Sequence, residues 1–567
     1  MNHALSLLSA LVLIPACSGP ERSSSAAPRP KATLYEHATI RVGAPDWRTV
    51  DALLVQDGRV VAVGTHAELV EAARGLEVEH VDLGGRFVVP GLHDAHGHLQ
   101  GYGDTLEIVD LRGAASLDEV IARVVARAAN VPDGEWVRGR GWDQNLWESK
   151  AFPNHAALSA ATPRHPVLLE RVDGHAALVN ARALGLAGLD GDLRGRDRLQ
   201  GGEVLLDADG RATGVLIDTA TGLVERVIPP PTLDEQWARV ERAANALVAQ
   251  GLTSVHDMGV TPELAARFVD RPLALRAFVY VWGNEGLEAA IRPRRHATAA
   301  RANELVGAKL MIDGALGSRG AALLEDYSDA PGQRGHLLVP EARLRELVLR
   351  CAEAGLQPAV HAIGDHGNRA VLDAFAEVAA RRPEFARLRP RVEHAQIVSA
   401  ADWSRFEALG AIPSMQPTHA TSDMPWAEAR IGAARLAGAY AWRRLPGART
   451  PLAFGSDFPV ESPNPFEGLY AAITRTDARG EPVGGWLADQ KLSPGEALDA
   501  FTRGAAYAVH REHELGQLAP GFLADFVVLD VDPLTATPET LRATRVLATI
   551  VGGECVFGAL ESRCVDR

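Results

Sequence analysis

The sequence predicts an α/β protein: a (β/α)8 barrel of the TIM type, a small β-sandwich built from both termini, and an insertion after the first barrel strand. Three observations predict it. The middle of the chain alternates strand-like runs with helical segments, the pattern of βα units. Eight such strands can be counted, the number a closed parallel barrel requires. Both ends are strand-and-turn throughout, which suggests one module made from the two. A length of 567 residues also exceeds what one hydrophobic core usually serves.

In chain order, the first element is an address. Residues 4–14 are an apolar run too short to span a bilayer, ending in Ile14-Pro15-Ala16-Cys17. Residues 1–16 are therefore expected to be a secretory signal peptide. Cys17 resembles the lipidated cysteine of a bacterial lipobox, and 17–32, rich in Ser, Ala and Pro, has the composition of a flexible tether. The first residues carry no Lys or Arg and Pro15 departs from the usual box, so an ordinary cleaved signal is the alternative. The lipoprotein reading places the protein in the bacterial cell envelope, exported to the periplasm or outer membrane and held to a membrane through Cys17.

The sandwich is expected from 33–89 together with 510–560. Strand-forming runs at 38–42, 52–55 and 60–63 are broken by Asp57-Gly58 and Gly64, and runs at 526–529 and 546–551 match them from the other end. The barrel takes 90–509, with strands expected at 87–93, 253–256, 274–281, 308–312, 358–361, 391–394, 412–415 and 452–455. The gap between the first two is far too long for one crossover, so about 100–240 is an insertion. It contains a hairpin-like stretch around Asp209-Gly210.

Composition narrows the function. Hydrophobic residues make up 47% and charged residues 23%, and the net charge is -14, with no basic stripe, so nucleic acid is excluded as a partner. None of the four cysteines forms a CxxC pair, which argues against a cysteine zinc site; Cys555 and Cys564 are near enough in sequence for a small disulfide. Of the 58 basic side chains only Lys31, Lys150, Lys309 and Lys491 are lysines, so a lysine inside a barrel strand needs a reason.

Histidines stand where barrel enzymes place their chemistry, at the C-terminal ends of strands. The first strand runs into Gly91-Leu92-His93-Asp94-Ala95-His96-Gly97-His98, and residues two apart on an extended segment point the same way, so His96 and His98 can grip one metal. The fourth strand carries Lys309, the fifth ends at His361, the sixth at His394, and Asp457 follows the eighth. Imidazoles with a carboxylate suit zinc and similar divalent ions.

This ordered set resembles the amidohydrolase superfamily over nearly the whole chain beyond the signal. Val89-Pro90-Gly91-Leu92-His93-Asp94-Ala95-His96-Gly97-His98 looks like its first-strand motif, and the stretch from Gly516 to Asp530 like its return into the sandwich. The region Asp313-Gly314-Ala315-Leu316-Gly317-Ser318-Arg319 after Lys309, and His361-Ala362-Ile363-Gly364-Asp365, are similar to the amidohydrolase-3 or YtcJ-like subgroup. That subgroup includes an N-substituted formamide deformylase and exoenzyme-regulator-like proteins. The resemblance implies that His96, His98 and Asp457 hold one divalent metal, zinc above all, and that His361 and His394 hold a second. It further implies that Lys309, carbamylated by CO2, bridges the two. A salt-bridged Lys309 and a mononuclear site are the alternatives.

The implied activity is hydrolysis of a small molecule's C–N bond by a metal-activated water, with Asp457 as the catalytic proton carrier. The same set of ligands suits a lactone or ester hydrolase or a deaminase, and a non-catalytic regulatory protein could keep the fold, although here every ligand position is filled. Trp142 and His175 lie in insertion motifs similar to the subgroup's and are substrate-binding candidates, the insertion forming a lid over the barrel mouth. Asp313 and Arg319 are expected either to bind a polar substrate group or to pair with each other. His419, after the seventh strand, is a pocket candidate, and His256 reads as structural. Self-association into a homo-oligomer is left open.

Overall fold

Eight parallel strands follow one another in chain order around the central sheet: β1 (Leu92–Gly97), β2 (Leu252–Val260), β3 (Arg276–Trp282), β4 (Glu304–Met311), β5 (Gln357–Ala362), β6 (Arg391–His394), β7 (Ile412–Met415) and β8 (Ala453–Phe454). The structure is a computed structural model and describes residues 31–283, 287, 303–447, 450–560 and 562–564. The expected signal peptide, Cys17 and nearly all of the expected tether lie outside the described residues; the chain is already in a strand at Lys31–Glu36. Among the described residues no helix is long and apolar enough to cross a membrane.

The sheet closes beyond β8. Gly97 bridges Phe458 in parallel, the Asp457 amide donates to the His96 carbonyl at 2.6 Å and the His98 amide to the Phe458 carbonyl at 2.9 Å. A Cβ on Gly97 would run into the Phe458 ring, so the seam needs a residue without a side chain here.

Alternation along the strands then sorts the side chains. Val255, Val279, Leu310, Val360 and Val392 face the layer shared with the surrounding helices. Their neighbours face inward, and below the mouth the interior is polar. There the buried Arg391 guanidinium donates to Ser414 Oγ (2.8 Å), the Ala95 carbonyl (2.7 Å) and Tyr280 Oη (3.1 Å), and it meets His256 Nδ1 at 2.9 Å.

The expected first strand, 87–93, is two strands. Phe87–Pro90 belongs to a six-stranded sheet, between Thr39–Arg41 and Phe526–Leu529, and the chain crosses into the barrel at Gly91. A Cβ on Gly91 would overlap Thr253, and the Gly91 amide donates to the Asp525 carbonyl at 2.8 Å. A five-stranded sheet, including Lys31–Glu36, Ala52–Gln56 and Ser562–Cys564, packs on that six-stranded one through Tyr35, Leu53, Val88, Phe526 and Ile550, so both ends of the chain do share one sandwich. Cys555 carries a free thiol: its strand, Glu554–Gly558, lies in the six-stranded sheet, and Ser562–Cys564 lies in the other. A buried bidentate pair, Arg276 on β3 with Asp525 at 2.8 Å, pins sandwich to barrel.

Between β1 and the helix Leu233–Val248 the chain builds a seven-stranded sheet of its own, with an apolar cluster on each face. The expected hairpin is there, Gly202–Leu206 against Ala212–Asp218.

Candidate metal centre

The C-terminal ends of the strands bring the expected groups together. His96 is on β1, and His98 caps the helix Leu99–Thr105 that follows. Asp457, just past β8, sits between them: its Oδ1 is 3.1 Å from His98 Nε2 and 3.6 Å from His96 Nε2. His394 ends β6, and His419 lies in the first turn of the helix Pro417–Ile431 after β7. Two sets of ligand atoms lie within 4.8 Å of one another among the described residues: His96, His98 and Asp457, and His394, His419 and Asp457. Asp457 and His394 both hold left-handed backbone, at φ 62° and 72°. Side chains adopt that conformation uncommonly, Asp and His more readily than most, and here it turns both groups into the mouth.

His361, near the end of β5, belongs to neither set, but its ring lies 4.6 Å from that of His394. Its Nε2 is buried without a hydrogen bond, 3.7 Å from Asp313. Lys309 on β4 is fully enclosed, its Nζ 3.1 Å from His96 Nε2.

Burial sets the charge states. It pushes His96, His361 and His394 below the ordinary histidine range, His361 to about 3, with Lys309 adding to the effect on His96 and His361. These imidazoles are neutral, with lone pairs to give. Burial also pulls the Lys309 ammonium down to about 8. For Asp457 burial works upward, yet the carboxylate lies well below its ordinary range, its charged form favoured by the hydrogen bond from His98. Neutral imidazoles converging on an anionic carboxylate, with a buried histidine nitrogen left unpartnered, are a donor set that fits a divalent ion.

Glu393, whose role the sequence did not disclose, stands behind this set. Its Oε2 takes His96 Nδ1 at 2.6 Å, and its Oε1 is 2.7 Å from Arg391 Nε. That carboxylate holds the proton on Nδ1 and turns the Nε2 lone pair toward the mouth. The signal was in the alternation: Arg391 and Glu393, two apart on β6, share the inward face. His256 meets Arg391 and is structural in this arrangement.

Two other expected residues are engaged within the insertion. Trp142 is buried in the insertion's own core, stacked on Trp147, its indole N–H spent on the Leu169 carbonyl at 2.8 Å. His175 is exposed on the same sheet and pairs with Asp218 at 2.7 Å. Asp313 and Arg319 do not pair with each other, and Asp313 lies 3.7 Å from His361 Nε2. Asp313 is buried and accepts the Ala322, Ile363 and Gly364 amides at 2.8–3.0 Å, tying the loop after β4 to β5; Arg319 pairs with Asp329.

The profile of the amidohydrolase family matches residues 79–557. The protein LONG AFTER FAR-RED 3 of Arabidopsis thaliana is 32% identical over 548 residues, 92% of this chain and 91% of its own. An N-substituted formamide deformylase of Arthrobacter pascens is 28% identical, covering 89% of this chain and 96% of its own. The crystal structure of an uncharacterized metal-dependent hydrolase from Pyrococcus horikoshii OT3 superposes with a TM-score of 0.72 at 29% identity, over 89% of this chain and 99% of the other.

Proposed function

The chain belongs to the amidohydrolase family and is a metal-dependent hydrolase; from that premise we propose that it cleaves a non-peptide C–N bond of a small molecule with water. The observation that carries this reading is the position of Asp457, an ionised carboxylate at the meeting point of four imidazoles. The deformylase, a relative named for an N-substituted formamide, supports an amide as the substrate class.

In this proposal His96, His98 and Asp457 hold one divalent ion, zinc by the chemistry of the donors, and His361 and His394 a second. Lys309 would supply the group shared between them. Its buried amine, pulled down to about 8, can attack CO2 as the free base. The N–C bond forms, one proton leaves, and the side chain becomes an anionic carbamate. Arg could not do this, because guanidinium keeps its proton. When bound, the ions supply Lewis-acid polarisation of the carbonyl and a more acidic water.

The chain's own groups do the rest. Asp457 takes a proton from the attacking water as the C–O bond forms, then gives it to the nitrogen as the C–N bond breaks, leaving an acid and an amine. Glu393 and Gln416 hold the far nitrogens of His96 and His394, at 2.6 and 2.8 Å, so that neither ring rotates out of place.

The test is elemental analysis of the purified protein followed by a panel of formamides, N-acyl amines, cyclic amides and lactones. The expected result is bound divalent metal and release of amine from at least one amide. Metal-replete protein that opens lactones and leaves every amide intact would overturn the choice of bond.

A further inference from the structure

We propose that Trp282 is a substrate-binding platform at the barrel mouth, and that the amide cleaved there carries an arene or a comparably flat apolar group to lie on it. This rests on the hydrolase reading above.

Trp282 is the last residue of β3. Side chains alternate strictly along that strand. Ala277, Val279 and Val281 face the helices. Phe278 and Tyr280 point into the barrel, Phe278 against the His256 ring and Tyr280 toward the Arg391 guanidinium. Trp282 comes two residues after Tyr280 and takes the same inward side. Its register partner on β4 is Lys309, and the Gly283 amide donates to the Lys309 carbonyl at 2.9 Å. Neighbouring strands stand about 4.8 Å apart, so the indole rises one strand away from the lysine of the candidate metal centre.

The neighbouring strand is shaped to receive that ring. β2 shifts register between Met258 and Val260, and Gly259 is the extra residue of the bulge. Its φ is 119°, and a Cβ there would come within 2.6 Å of the Trp282 ring. The indole therefore lies directly on the backbone of β2, a contact that glycine alone permits. A bulge beside a site commonly re-aims what stands next to it. Beneath lies a buried layer of Met258, Tyr280 and Ala359.

The inward stripe of β3 meets solvent only at its top: Phe278 and Tyr280 are fully buried, whereas Trp282 is 39% exposed. A single exposed apolar side chain on an outer surface would carry no meaning. This one stands inside the rim, level with Lys309, where a pocket wall is needed. Small-molecule pockets pair a few fixed polar groups with apolar and aromatic walls. His96, His98, Lys309 and Asp457 are the polar groups here, and Trp282 offers the wall. An arene gains by offset or edge-on packing against an indole, beyond the area it buries.

The experiment uses the full chain loaded with zinc, with metal content measured in each sample and binding read by calorimetry. The probes are benzohydroxamate and acetohydroxamate, which chelate metal through the same head and differ in the ring. Trp282→Ala should keep the wild-type zinc content and bind benzohydroxamate about 10-fold more weakly, a tenfold loss being about 1.4 kcal/mol. Acetohydroxamate should bind both proteins alike. Trp282→Phe, which keeps an aromatic face, should retain most of the benzohydroxamate affinity and guards against a folding defect. Three results with zinc in place would overturn the proposal alone: unchanged benzohydroxamate affinity in Trp282→Ala, equal weakening of both probes, or a wild-type chain that binds neither. A wild-type chain that holds no zinc would strike the hydrolase reading, and this inference with it.

Discussion

At the barrel mouth four histidines surround Asp457; on the sandwich His66 and His80 flank Glu36, at 2.9 and 3.3 Å, and His37 meets Asp82 at 3.2 Å. The residue types are the same, and the sandwich set even borders a cleft of about 1200 Å³. The difference lies in direction and burial. Only the barrel sets bring three ligand atoms within 4.8 Å among the described residues. The His37 and His66 side chains are 57% and 41% exposed, whereas His96 is 1% exposed and neutral, with Glu393 holding its far nitrogen. Residue type supplies the capacity to bind, and fixed, dry, convergent geometry turns it into a site.

The largest effect should separate the two regions outright. His96→Ala or His361→Ala is expected to lower bound metal and bring hydrolysis to background, while His66→Ala leaves both unchanged, as elemental analysis and amine release would show. Full metal and activity in both barrel variants would erase the distinction.

Lys309 sharpens it next. Lys309→Arg should be inactive although it keeps a cation. Lys309→Ala should lose the second metal and recover part of its activity when short carboxylic acids are added. A lysine serving only in an ion pair predicts the opposite pattern, with Arg tolerated and carboxylates without effect.

Glu393→Gln should have a graded effect. It keeps the shape but weakens the hold on His96 Nδ1, so metal affinity, measured by chelator competition, should fall about 10–100-fold. Unchanged affinity would reduce Glu393 to a partner for Arg391.

The smallest effect concerns the floor of the barrel. Burial lowers the His93 pKa to about 4, so the folded chain refuses a proton that the unfolded chain takes up near 6.5. The resulting stability is present above 6.5 and lost as the pH falls toward 4, by about 3 kcal/mol in full. Urea unfolding of metal-free protein should show a shallower loss over that window in His93→Gln than in the wild type. Parallel curves would contradict the assignment.

What the sequence determined by itself was the scaffold and the inward-facing chemistry at its strand ends. Periodicity marks eight strands, and alternation sets Lys309 and His361 on inward faces, because a strand's period of two is a local property; His96 and His394 have the opposite parity and come in through a register shift beside β1 and the left-handed backbone at the end of β6. The same logic left Trp142, His175, Asp313 and Arg319 undecided, since a motif shows a side chain's type but not what lies across from it. Tertiary structure decided those. It spends Trp142 on an apolar core, His175 on Asp218, Asp313 on three amides and Arg319 on Asp329. It alone brings Glu393 to His96 across 297 residues, and sets Gln416 and Gln396 behind the stacked rings of His394 and His419. A ring's tautomer depends on the partner its far nitrogen meets, and only the closed barrel supplies that partner.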